Sequence, residues 1–63
     1  MEKMGRVLAY DTEGKRHEFE VYRTPSCYIV RLDGEDLRRT GTHLDAIEAI
    51  LEEAEARGYR RRR

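Results

Sequence analysis

Residues 6–22 read RVLAYDTEGKRHEFEVY: two strand-like runs, 6–11 and 16–22, on either side of a TEGK turn. The turn sets the register of a hairpin, and the register decides what the fold can bury. Asp11 and Gly14 take the first and fourth positions of a type I turn, and Gly14 can adopt the left-handed conformation of a G1 bulge. With Asp11 opposite Lys15, Val7 faces Phe19 and Ala9 faces His17 on one side, while Arg6 faces Glu20 and Leu8 faces Glu18 on the other. One side is then apolar and the other charge-paired, a separation that a one-residue slip would destroy.

A third run, CYIVRL at residues 27–32, follows an RTPS turn, and its Tyr, Ile and Val content suits a well-buried strand. Asp33-Gly34 is a strong two-residue hairpin signal, so a short fourth strand is predicted at about residues 36–40, with Val30 opposite Leu37 and Arg31 opposite Asp36. Thr42 then caps a helix, with Asp45 three residues on, and Gly58 ends it after Arg57. Leu44, Ile47, Ile50, Leu51 and Ala54 recur at helical spacing and need a cover. The apolar side of the sheet (Val7, Ala9, Phe19, Val21, Tyr28, Val30, Leu32 and Leu37) supplies it. The predicted fold class is α+β: a two-layer, three- to four-stranded antiparallel β-meander with one C-terminal α-helix on one face. Residues 1–58 form the single domain, and 59–63 are expected to be a basic, disordered tail.

The chain has 63 residues and one cysteine, Cys27, so its core is thin and no internal disulfide can reinforce it. Self-association is the expected remedy. A lone thiol, an N-terminus without an apolar leader and the lack of any long apolar stretch give a soluble, cytoplasmic protein with no membrane contact as the expectation. Net charge is zero but uneven: residues 1–56 carry eight basic and thirteen acidic side chains, whereas 57–63 carry five arginines.

With the helix on one side, the other sheet side carries Leu8, Tyr10, Tyr22, Cys27, Ile29 and Arg31, the candidate interface. Tyrosine and arginine on an open sheet suit a protein interface, and they equally suit stacking on single-stranded nucleic acid. Arg57, Tyr59, Arg60, Arg61, Arg62 and Arg63 are the candidate tail for RNA or DNA phosphate. Asp45, Glu48, Glu52 and Glu55 share one helix flank, which is either a solvated face or an acidic strip for Arg38, Arg39 or the tail of a second chain.

His17, His43 and Cys27 lack the spacing of a zinc site, and nothing in sequence supplies a base for Cys27. No metal, cofactor or catalytic residue is expected, and the chain reads as a non-enzyme. The stretch TGTHLDAIEAILEEA, residues 40–54, resembles the meander-to-helix junction of HicB-type antitoxins, and the order of elements is similar to that of the arm-binding domains of tyrosine integrases. Neither resemblance carries a residue role across. The leading expectation is a small homodimeric interaction module that binds protein; the alternative is a nucleic-acid binder that uses the arginine tail and the open sheet face.

Overall fold

The computed structural model describes residues 1–61. Its elements are β1 (Glu2–Tyr10), β2 (Arg16–Arg23), β3 (Tyr28–Leu32), β4 (Glu35–Thr40), α1 (His43–Arg57) and β5 (Arg60–Arg61). All strands run antiparallel in one sheet of order β4-β3-β2-β1-β5. The result is an α+β fold, a meander with a single helix on one face.

The first hairpin has the register that its turn dictates, with Val7 opposite Phe19 and Leu8 opposite Glu18. Gly14 sits at φ 82°, and its N–H donates to the Asp11 carbonyl at 3.0 Å. The Asp11 carboxylate accepts the N–H groups of Glu13 and Lys15, both at 2.9 Å, so one side chain holds the whole turn. β1 begins earlier than its apolar run, at Glu2, with an irregularity between Lys3 and Gly5. At the second turn Asp33 and Gly34 have φ 51° and 89°, the left-handed pair of a type I′ turn.

The fourth strand forms, and Arg31 pairs with Asp36 as expected. Val30 does not pair with Leu37; a register shift makes its partner Arg38, and Leu37 becomes the extra residue of a bulge. The bulge brings Arg38 to the helix side, where its guanidinium donates to Glu52 at 2.8 Å and to Glu53 at 3.2 Å.

Thr42 caps α1 by accepting the Asp45 N–H at 3.0 Å. At the other end Gly58, at φ 74°, donates to Glu55 O and Tyr59 donates to Ala54 O, the paired bonds of a Schellman motif. The helix lies over β3 and β4 and touches β2. Ala9, Phe19, Val21, Val30, Ala46, Ala49 and Ile50 form the buried cluster, flanked by Val7, Tyr28, Leu32, Leu37, Ala54 and Tyr59. Each large side chain buried there contributes about 1.5–3 kcal/mol.

The helix face corrects the expected one. Ile50 is buried, but Leu44, Ile47 and Leu51 stay 67%, 36% and 49% exposed, and Ala46 and Ala49 lie against the sheet instead. The small alanines let the helix backbone approach Phe19 and Val30 closely. Arg38 fixes the orientation by gripping Glu52 and Glu53 on one flank, and so does the Schellman turn, which seats Tyr59 against the core. No helix among the described residues is long and apolar enough to cross a membrane.

Candidate functional site

The sheet face away from α1 gathers the candidate residues but closes over them. Lys3 bridges Glu20 at 2.8 Å and Glu18 at 3.9 Å, Arg6 reaches Glu18 at 3.3 Å, and Arg31 holds Asp36 at 2.6 Å. The Tyr22 hydroxyl donates to Glu20 at 3.1 Å, and the Arg31 guanidinium lies 4.7 Å from the centre of the Tyr22 ring. The Lys3 ammonium, through its hydrogen bond, holds the Glu20 carboxyl below its ordinary pKa against the cost of desolvation, and Asp36 in the same way raises Arg31. Leu8, Tyr10, Tyr22, Cys27 and Arg31 are half-buried. Ile29, expected to be uncovered, is only 5% exposed, because Tyr22 on β2 and Arg39 on β4 flank it in register. Cys27 belongs to a turn in which its N–H donates to the Thr24 hydroxyl at 3.0 Å. The centre of this face is a set of mutually satisfied charges over a shallow apolar floor.

The strongest polar cluster is one the sequence reading passed over. His17 Nδ1 lies 2.7 Å from Asp33 Oδ2, and its Nε2 lies 3.0 Å from Asp11 Oδ2. Asp33 also accepts the Glu18 N–H at 2.9 Å through its other oxygen, while its own N–H donates to the Glu18 carbonyl. Tyr59 stacks on the His17 ring, centroids 4.4 Å apart. Hydrogen bonding to Asp11 first, then to Asp33, raises the imidazole pKa, and His17 and the Lys15 N–H in turn lower that of Asp11. For Asp33 the largest effect is desolvation, which opposes ionisation; the Glu18 N–H and His17 together outweigh it and leave its pKa lowered. Both ring nitrogens are engaged by carboxylates, so the imidazole ties two turns together and has no nitrogen left for proton transfer to a substrate. The signal was present in sequence as two turn aspartates with a histidine between their strands.

The third feature is the separation of what remains unmatched. Lys3, Arg6, Arg23, Arg31, Arg38 and Arg57 each pair with a carboxylate. Among the described residues Lys15, Arg16, Arg39, Arg60 and Arg61 have no such partner, and all but Arg39 lie at the β1–β2 turn or on β5 beside it. The tail residues Tyr59, Arg60 and Arg61 are thus brought onto the fold: Arg60 pairs with Tyr10 and Arg61 with Ala9. Arg57 instead ends α1 and pairs with Glu53, and Arg62 and Arg63 lie outside the described residues. On the opposite layer, Leu44, Ile47 and Leu51 form an exposed stripe along α1. Comparison with protein-family models, with curated proteins and with solved structures finds no match.

Proposed function

We propose that the chain is a small, non-catalytic interaction module that pairs with a second copy of itself through the outer stripe of α1. The carrying observation is the exposure of Leu44, Ile47 and Leu51 at positions i, i+3 and i+7 of one helix, in a chain whose core is built largely from alanine and valine. A large apolar side chain left in water forgoes about 1.5–3 kcal/mol of burial, and three in a row make a coherent seam. The seam is also self-complementary. In an antiparallel two-fold pairing Leu44 of one copy meets Leu51 of the other, and Ile47 falls beside the axis, next to its own symmetry mate. The open sheet face is a poorer surface for this purpose, since the charges at its centre are already paired and Ile29 is covered.

Sedimentation equilibrium on the wild type and on Leu51→Glu tests the reading. A dimer should form at about 100 μM protein and dissociate in the variant, which should keep its fold because residue 51 lies outside the core. A strict monomer at that concentration, or a dimer indifferent to Leu51→Glu, removes the proposal.

A further inference from the structure

The arginines left without carboxylates by the fold are arranged around a ring. In antiparallel register, partners share a face, so Arg16 on β2, Tyr10 on β1 and Arg60 on β5 form one row across three adjacent strands, on the side away from α1. Tyr10, Gly14, Arg60 and Arg61 line an open depression of about 320 Å³ at this corner. The nearest open-face carboxylate along β2 is Glu18, which is engaged by Arg6 and Lys3. Guanidinium groups without a partner carry their full charge to a ligand, whereas those of Arg6 or Arg31 would have to break a bond first.

We propose that this corner is a binding site for single-stranded nucleic acid, with Arg16 and Arg60 contacting successive phosphates and Tyr10 providing the floor on which a base packs. Flat ring and flanking cations together specify the ligand class. A sulfate or an isolated phosphate engages only the guanidinium groups, and a duplex keeps its bases stacked inside and cannot use Tyr10. Gly14, at φ 82°, presents no side chain at the rim, so a strand can run over the turn toward Arg16. The site does not rest on the pairing through α1; it lies on the other layer, and a dimer would carry two copies of it.

The test is fluorescence anisotropy with a labelled twelve-nucleotide oligothymidylate, titrated at about 50, 100 and 200 mM salt. Four proteins are compared: wild type, Arg16→Gln with Arg60→Gln, Tyr10→Leu, and Arg62→Gln with Arg63→Gln. Removing two phosphate contacts should weaken binding about ten-fold or more at the lowest salt and flatten the log-log salt slope by about 1.4. Tyr10→Leu should weaken binding about five-fold or more with the slope unchanged, as loss of a stacked base requires. Absence of wild-type binding at about 100 μM protein and 50 mM salt overturns the proposal. So does unchanged binding by the Arg16/Arg60 variant, and so does loss of binding confined to the Arg62/Arg63 variant. Equal affinity for Tyr10→Leu, or tighter binding to a duplex of the same length, overturns the single-strand assignment. Circular dichroism of the variants keeps unfolding separate from loss of the site.

Discussion

His17 and Tyr59 stack ring on ring, 4.4 Å between centroids and 7° from parallel, which joins the residue after the helix cap to the second strand of the sheet. The contact orients the chain end so that Arg60 and Arg61 can pair with β1, and the two aspartates hold the imidazole in the plane that the tyrosine needs.

That arrangement makes stability depend on pH with a definite sign. The folded state raises the His17 pKa, so its contribution is complete below the unfolded value of about 6.5 and is lost as pH rises through the raised folded value. Asp11 and Asp33 have lowered pKa values, so theirs is complete above an unfolded value near 3.8 and is lost as pH falls through the folded ones. The groups facing the imidazole are Asp11, Asp33 and the Tyr59 ring, with Lys15 beside Asp33. Urea denaturation should therefore show highest stability between about pH 4.5 and 6.5 and a decline toward pH 8. In His17→Asn the decline above pH 6.5 should vanish; a persistent decline would assign it to another group.

Asp33 has three tasks at once: the left-handed turn position, the Glu18 N–H and the His17 ring. Asp33→Asn keeps the turn preference and one acceptor, and should cost less than Asp33→Ala, which leaves the Glu18 N–H without its side-chain acceptor. The alanine variant is expected to lose about 1–2 kcal/mol in chemical denaturation. Equal losses in the two would mean that the turn geometry, and not the bonds, carries the effect.

The orientation of α1 is open to a simple exchange of volume. Ala49 is buried against the sheet, so Ala49→Leu should overpack the core and cost about 1–3 kcal/mol. Leu51→Gln, on the outer stripe, should change monomer stability by less than about 0.5 kcal/mol. The reverse order in thermal or urea unfolding would mean that the helix is seated on its leucine face.

Both hairpins could be read from the sequence because local turn chemistry, Asp11 with Gly14 and Asp33 with Gly34, fixes register near each turn without help from the rest of the chain; beyond Arg31 and Asp36 the bulge at Leu37 breaks the expected pairing of Val30. Capping by Thr42 and Gly58 was legible for the same reason. The helix face was not, because apolar periodicity reports which residues prefer burial, whereas the available depth above Phe19 and Val30 favours alanine, and Arg38 reaches the helix only through a bulge that no local signal announces. The pairing of Arg60 with Tyr10 was hidden too. It depends on Tyr59 finding His17, a contact between residues 42 positions apart in a chain of 63. Tyr10 and Arg60 were named as separate candidates, one on the sheet and one in the tail, and only the fold makes them neighbours.

Salt should act on the two surfaces with opposite signs, which allows them to be told apart in one sample. Antiparallel pairing about a two-fold axis keeps the acidic flank of one α1 on the same side as that of the other. Glu48 lies next to the midpoint between Leu44 and Leu51, so it comes close to its own symmetry mate; among the described residues it has no ion-pair partner to offset the repulsion. Raising salt from about 50 to 300 mM shortens the screening length by a factor of about 2.4, which weakens this repulsion and should tighten the dimer. Glu48→Gln should tighten it about two- to five-fold, the range of an exposed charge pair. Nucleic-acid binding at Arg16 and Arg60 should weaken over the same range, since each phosphate contact releases counterions that added salt opposes. A dimer that loosens with salt in sedimentation equilibrium would mean that opposite charges hold it, with the arginines of one copy on the Glu48 and Glu55 flank of the other, and the apolar seam would no longer be its basis.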